Sequence, residues 1–149
     1  MRVISTLIIF IFLSFQSFSQ SLEGEWRGSY DIEYGLSYPK ITRPITLYFV
    51  LNKDSSYTIY SYSRGKDIDG SDTIVVCKVA YKLVYKKTRL RSLYLEETQI
   101  LRPVNAPITC FQKMYLDVRR EDKLSILAGT WKSEDDCNNN GKIRFTKVE

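Results

Sequence analysis

Apolar and polar residues alternate along most of this chain, and a period of two is typical of β-strands that bury one face. Residues 24–34 show the pattern first: from Trp26 to Tyr34, every second residue is aromatic, aliphatic or glycine, and the residues between them are charged or polar. Helical periodicity is almost absent. The alternation predicts eight strands, at residues 24–34, 45–51, 57–62, 74–85, 90–101, 111–118, 124–133 and 142–148.

The order of these strands predicts the fold. Eight consecutive strands without a crossover helix favour an antiparallel meander, and eight strands suffice to close a barrel. We therefore expect a single all-β domain over residues 20–149, either an antiparallel eight-stranded up-and-down barrel or a barrel-like sandwich. The predicted connections alternate between short and long, so the long ones share one rim, where binding sites are usually built.

Residues 1–19 show the pattern of a secretory signal peptide. Arg2 supplies the positive charge, Val3–Phe15 is a mostly apolar run, and Ser17 and Ser19 are the small residues that precede a cleavage site. An uncleaved membrane anchor is the alternative, because the apolar run approaches the length of a short span. We expect cleavage, and therefore an exported chain in the periplasm or outside the cell, with no transmembrane span.

The composition excludes several kinds of chemistry. The chain has no histidine, which removes Ser-His-Asp and Cys-His nucleophile systems and imidazole metal sites. No acid, base and nucleophile converge in the predicted topology, so we expect neither an enzyme nor a cofactor. Asp67, Asp69 and Asp72 hint at a calcium loop, but their spacing fails the EF-hand template, and we expect a solvated turn and no metal.

The net charge of +5 is locally concentrated. Lys78, Lys82 and Lys86 fall on the outer face of the predicted fourth strand, while Tyr81 and Tyr85 fall on the inner face. Nucleic-acid binders usually combine basic and aromatic side chains on one face. We therefore expect a solvated basic stripe and no nucleic-acid partner.

The cysteines of an exported chain are candidates for a disulfide. Cys110 opens the sixth predicted strand and Cys137 follows the seventh, so both fall at the rim with the long connections. We favour a Cys110–Cys137 disulfide. Cys77 falls on the apolar face of the fourth strand and is predicted to be a buried, inert thiol. Three reduced thiols are the alternative.

A short motif occurs twice, as Gly24-x-Trp26 and as Gly129-x-Trp131. The first copy opens the first strand after a signal peptide, and it resembles the Gly-x-Trp start of lipocalin-like and avidin-like barrels. That resemblance implies a tryptophan at the barrel floor and a small apolar ligand in the interior or mouth. It covers the first strand and the meander order, and the chain otherwise resembles exported bacterial proteins of unknown function. We expect all four motif residues to be structural.

The second copy of the motif conflicts with the simple alternation. If Val118 and Leu124 both face inward across their turn, Trp131 points outward. A β-bulge near Gly129 would turn the Trp131 side chain inward, and we expect that bulge.

Tyrosine is the residue type in clearest excess in the composition, with 11 in the chain. Inward tyrosines present apolar rings and polar tips, so they suit the lining of a ligand cavity. The alternation places Tyr30, Tyr34, Tyr57, Tyr81 and Tyr85 inward, and Tyr48, Tyr60 and Tyr62 outward.

The register of the fifth strand decides which of its residues reach the interior. Pairing Tyr85 with Leu90 would put Tyr94 and Glu96 inside, where Glu96 could anchor a ligand. The opposite register buries the leucines at positions 93 and 95 instead, and the sequence leaves both registers possible. The candidate ligand-binding residues are Tyr30, Tyr34, Tyr94 and Glu96.

Together these observations predict an exported, monomeric, non-catalytic barrel that binds a small apolar ligand in its interior or at its long-loop mouth. The alternative is a protein-interaction module of the cell envelope or a secreted hydrolase inhibitor. Its surface would be the rim loops 64–73 and 134–141 with the outward Tyr60 and Tyr62.

Overall fold

The computed structural model describes residues 21–32, 41–66, 71–85, 91–101, 111–134 and 139–149. All regular secondary structure in these ranges is β-strand. The eight strands are β1 (Gly24–Ile32), β2 (Ile41–Leu51), β3 (Tyr57–Lys66), β4 (Asp72–Tyr85), β5 (Arg91–Ile100), β6 (Gln112–Glu121), β7 (Leu124–Ser133) and β8 (Asn140–Lys147).

The strands form one closed antiparallel barrel in sequence order. Each strand pairs with the next, and β8 returns to pair with β1, where Gly28 lies opposite Phe145 and Tyr30 opposite Ile143. The predicted all-β, eight-stranded up-and-down barrel is thereby confirmed. Closure gives each of the eight described strands a partner on both sides, so none of them is an edge strand.

The strand bounds differ from the predicted ones mainly near the rim with the long connections. β2 begins at Ile41 rather than after Pro44, and Pro44 lies opposite Ser29 of β1. β3 pairs with β2 only from Ile45 onward, so the start of β2 has a neighbour on one side alone, where proline is tolerated. β3 and β4 are also longer than predicted, so their connection, residues 67–71, is as short as residues 52–56.

One end of the barrel interior is packed with apolar side chains. This end, which we call the floor, is where β2 turns into β3 and β6 into β7. Trp26 is fully buried there, its indole N–H donates to the Leu22 carbonyl at 2.8 Å, and its ring lies 6.3 Å from that of Phe49. This agrees with the position that the resemblance to lipocalin-like and avidin-like barrels implies for the tryptophan. The same core contains Leu47, Ile59, Leu93, Leu116, Leu127 and Phe145, with Tyr57 and Tyr81 packed against it.

Trp131 reaches the interior without a bulge, so the predicted bulge near Gly129 was wrong. β7 pairs with β6 in an unbroken register, with Leu127, Gly129 and Trp131 on the inner side. Leu124, which the prediction had placed inside, is 47% exposed. The inward set of β7 is therefore shifted by one residue from the predicted set, and the regular alternation alone brings Trp131 inside.

Candidate ligand-binding site

The barrel interior becomes polar toward the end opposite the floor. Among the described residues, three buried side chains are polar or charged: Ser61, Glu97 and Gln112. Strand register places all three on the inner face, since Ser61 lies between Leu47 and Cys77 and Glu97 lies opposite the inward Val79. With the neighbouring Tyr30, Arg43 and Cys77, they form what we call the polar interior cluster.

The register of β5 brings Glu97 into this cluster. Tyr85 lies opposite Arg91, so the residues at positions 93, 95 and 97 face the interior. A register shift between Lys78 and Val79 follows, because Gln99 lies opposite Lys78 while Glu97 lies opposite Val79. Sequence reasoning described this register but selected no residue from it. The signal in the sequence that favoured this register was the pair of leucines, because burying them is favourable. In the structure Leu93 and Leu95 are 1% and 0% exposed.

Tyr94 and Glu96 lie on the outer face of the barrel, so their predicted place in the interior was wrong. The Tyr94 hydroxyl donates to Glu96 Oε2 at 3.1 Å, and Lys113 Nζ lies 3.1 Å from Glu96 Oε1. Lys113 also pairs with Glu134, and the Tyr94 ring lies 4.9 Å from that of Tyr115. Hydrogen bonds from Lys113 and Tyr94 lower the pKa of Glu96. These partners show a satisfied surface carboxylate.

Glu97 accepts a hydrogen bond on each carboxyl oxygen. The Ser61 hydroxyl donates to Oε1 at 2.5 Å, and the backbone N–H of Gln112 donates to Oε2 at 3.0 Å. Glu97 is only 5% exposed, and burial raises its pKa, opposed by these two hydrogen bonds. None of the described cations forms an ion pair with it, so the wall of the barrel holds a carboxyl whose charge is uncompensated when it ionises.

The Gln112 side chain is the least satisfied group of the cluster. It is 8% exposed, and its Oε1 has no hydrogen-bond partner in the structure. A buried acceptor without a donor costs about 1–3 kcal/mol relative to the hydrated group. Such groups are rare in folded proteins, and each one calls for an explanation such as a bound molecule.

Tyr30 and Trp131 provide an aromatic wall beside these polar atoms. Tyr30 is 4% exposed, and its ring meets that of Trp131 edge-on with 4.8 Å between centroids. The Trp131 indole N–H donates to the Asp31 carbonyl at 3.1 Å. Burial raises the pKa of Tyr30, while hydrogen bonding by Gln112 and Arg43 lowers it. The predicted inward position of Tyr30 is confirmed, and Tyr34 lies outside the described residues.

Cys77 is a buried, free thiol in this cluster, as its sequence context predicted. Desolvation, reinforced by the charge of Glu97, raises its pKa to about 12. A thiol with so little thiolate near neutral pH is a poor nucleophile. Cys110 and Cys137 lie outside the described residues, so their disulfide stays a prediction.

The other predicted features are divided between described and undescribed parts of the chain. Within the described ranges, no group of three or more His, Cys, Asp or Glu side chains could hold a metal ion. Asp67 and Asp69 fall outside those ranges. Lys78 and Lys82 are exposed, while Lys86 of the basic stripe is not described. The outward tyrosines are found as predicted, with Tyr48, Tyr60 and Tyr62 on the outer face.

The outer wall of the barrel carries shallow depressions, one of them over β4–β7. One of about 380 Å³ is lined by Val84, Tyr94, Tyr115 and Thr130, among others. Val84 and Tyr115 are 41% and 48% exposed, so this is an open apolar surface rather than an enclosed site. The depression has no buried polar atom comparable to Gln112 Oε1 among the residues that the structure describes.

Comparisons of the chain with protein-family models, with curated proteins and with solved structures gave no match. Across the parts of the chain that the structure describes, no helix is long and apolar enough to cross a membrane. The eight-stranded antiparallel barrel is consistent with a lipocalin-like architecture, and such a fold alone does not specify a function.

Proposed function

We propose that this protein is a non-catalytic binding protein that takes a small ligand at the end of the barrel opposite the floor, against the polar interior cluster. The observation that carries the proposal is the buried, unpartnered Oε1 of Gln112. A ligand N–H or O–H would complete the hydrogen bonding of this atom. The mouth of a β-barrel is a common place for such a site.

The packing of the interior favours a ligand site at the mouth rather than one that runs the whole length of the barrel. Trp26, Phe49 and Phe145 are at most 2% exposed and fill the floor. The Tyr30 and Trp131 rings lie nearer the other end, where they offer apolar surface beside the polar atoms. The ligand would therefore be short, with an apolar body against these rings and a polar group that points at Gln112.

Export is part of the proposal and rests on residues 1–19, which the structure does not describe. The intact mass of the mature protein tests it, because cleavage after Ser19 predicts a chain that begins at Gln20.

Native mass spectrometry of the protein, recovered from the cells that make it, tests ligand binding. We expect a discrete extra mass that disappears under denaturing conditions. Gln112→Met removes the unpartnered oxygen while keeping a side chain of similar length, and it should lose the extra mass. Gln99→Met makes the same substitution on the exposed face of β5 and should keep it. A bare wild-type protein, or an equally occupied Gln112→Met variant, would contradict the proposal.

The outer wall favours a second candidate, a protein-interaction surface. Tyr115, at 48% exposure, packs against the tilted ring of Tyr94 beside the exposed Val84 and forms an apolar patch of the kind that marks interfaces. Tyr115→Ser would weaken such an interface without changing occupancy by a small ligand. Co-purification of a partner protein that Tyr115→Ser abolishes, from a barrel with no small adduct, would favour this second candidate.

A further inference from the structure

We propose that the ligand group bound at the polar interior cluster is a protonated amine, whose N–H donates to Gln112 Oε1 and whose charge is compensated by the Glu97 carboxylate. This inference rests on the proposed ligand-binding function and names the chemical class of the ligand. It follows from which hydrogen-bonding groups of the cluster are already used and which are not.

The Glu97 carboxyl and the Gln112 side-chain oxygen are buried acceptors with unused lone pairs. The Ser61 hydroxyl and the Gln112 backbone N–H already donate to Glu97. Each carboxyl oxygen of Glu97 retains a second lone pair, and Gln112 Oε1 has both of its lone pairs free. A ligand that brings several donors therefore fits the Glu97 carboxyl and Gln112 Oε1, whereas a carboxylate or phosphate would meet acceptor against acceptor at these atoms. An ammonium group brings three donors and no acceptor.

Charge compensation points to the same class of ligand. The described salt bridges involve surface residues, and none includes Glu97. A carboxylate in a buried site gains most from a cation that is hydrogen-bonded to it, because the local dielectric is low. A bound ammonium would supply that cation, and the adjacent aromatic rings of Tyr30 and Trp131 would add cation–π attraction.

The other groups that face Glu97 do not supply this compensation. Tyr30 of β1 and Cys77 of β4 are neutral near pH 7, since burial raises the pKa of both. Arg43 of β2 lies opposite Tyr30, where its charge and hydrogen bonding lower the pKa of that side chain, and none of the described salt bridges joins it to Glu97. It is partly exposed, so solvent screens its charge more than that of Glu97. β7 and β8 contribute Trp131 and Ile143, which do not titrate.

Binding of an ammonium group should be linked to ionisation of Glu97. While the ligand-free protein holds a proton on Glu97, binding releases that proton to solvent and leaves an ammonium–carboxylate pair. The affinity for an amine should therefore rise with pH over the range in which Glu97 is protonated. The limit is about tenfold in Kd for each pH unit, since one proton is released.

Calorimetric titration with three probes of equal chain length tests the inference. The probes are n-hexylammonium, 1-hexanol and hexanoate, which offer a cationic, a neutral and an anionic head group. We expect n-hexylammonium to bind about tenfold or more tightly than the other two, the ratio that one ion-paired hydrogen bond supports. Its binding should tighten as pH rises above 4.5 until Glu97 of the ligand-free protein is ionised, and over that range it should release a proton while the alkylamine stays protonated. Binding of 1-hexanol should not depend on pH.

Two matched variants identify the carboxyl that is responsible. Glu97→Gln should abolish the preference for n-hexylammonium and its pH dependence, while 1-hexanol still binds. Glu96→Gln, the same substitution on the outer face, should leave both unchanged. Circular dichroism confirms that each variant is folded. Gln112→Met supplies a second readout, because it should weaken binding of n-hexylammonium even if Glu97→Gln does not fold.

The outcomes separate the two proposals. If 1-hexanol or hexanoate binds as tightly as n-hexylammonium, or if Glu97→Gln keeps the preference for the amine, the inference about the amine is overturned and the binding function stands. If none of the three probes binds to the wild-type protein, both proposals are overturned. Preferential, pH-dependent binding of the amine that requires Glu97 supports both.

Discussion

Glu96 and Glu97 are neighbours in the chain, but the barrel wall separates their side chains into opposite environments. Glu96 lies on the outer face, where Lys113 and Tyr94 lower its pKa. Glu97 lies inside, where burial raises its pKa. Because successive residues of a strand point to opposite faces, a single position along β5 decides between a surface ion pair and a buried acid.

The raised pKa of Glu97 predicts a pH-dependent stability. A carboxyl whose pKa is higher in the folded protein contributes most below its ordinary value of 4.5, and that contribution is lost as pH rises through the folded-state pKa. We therefore expect Glu97→Gln to become more stable relative to the wild type as pH rises above 4.5. Urea unfolding of both proteins over a range of pH measures the difference.

Glu96→Gln should show the opposite trend. The pKa of Glu96 is lowered, so its contribution is present above the ordinary value of 4.5 and is lost as pH falls. Since Glu96 is solvent-accessible, that contribution is small.

For the interior carboxyl, a stability difference between wild type and Glu97→Gln that does not change with pH would contradict the buried position of Glu97.

Sequence reasoning at the residue scale found Tyr30 but missed Glu97 and Gln112. Alternation identifies which residues share a face, and it placed Tyr30 inside correctly. Alternation does not decide which face of β5 is inside, because one face carries two leucines and the other face carries Tyr94 and Glu96. A polar residue such as Gln112, next to a predicted strand terminus, has no pattern that separates a buried position from an exposed one.

At the scale of the element, β7 depends on a close approach between backbones. A Cβ atom at Gly129 would overlap the Tyr115 carbonyl of the adjacent β6, which is backbone and cannot rotate away. Glycine at this position therefore permits the β6–β7 pairing that brings Trp131 inside. The structural role predicted for the Gly129-x-Trp131 motif has this physical basis, although sequence alone suggested a bulge.

We predict that Gly129→Ala destabilises the protein by about 1–3 kcal/mol, the usual range for overpacking, because the backbone contact must shift. Thr130→Ala, at the next and exposed position of β7, should cost less than about 1 kcal/mol, as is usual for surface substitutions. Denaturant unfolding of the two variants checks the comparison. Equal stabilities would show that the β6–β7 contact accommodates the extra methyl group.

Element order could be predicted because each strand has one apolar and one polar face. The exact ends of the strands could not be predicted, since strand pairing near the rim continues beyond the segments in which apolar and polar residues alternate. β2 extends back through Pro44, and β3 continues to Lys66 through residues with no apolar period. In these segments backbone hydrogen bonds to one neighbouring strand, rather than burial of a face, maintain the extended structure.

For the whole molecule, the two tryptophans report on opposite ends of the interior. Trp26 is enclosed by the floor, whereas Trp131 lies beside Tyr30 in the region of the polar interior cluster. A ligand at the proposed site should therefore change the environment of Trp131 alone. The chain has 2 tryptophans, so replacing either one leaves a single fluorophore.

We expect n-hexylammonium to change the emission of the Trp26→Phe protein, in which Trp131 remains, and to leave that of the Trp131→Phe protein unchanged. Fluorescence titration measures both. A response from Trp26 alone would place the ligand at the floor and contradict the proposed position of the site.

Barrel closure has a consequence for how the chain is made. β1 and β7 each obtain their second neighbour only from β8, which begins at Asn140 and is the last strand of the barrel to be synthesised. Until then, β1 and β7 each present a row of unpaired N–H and C=O groups, which can pair with another nascent chain. β8 pairs with both of these strands in the finished barrel and so covers both unpaired edges at once.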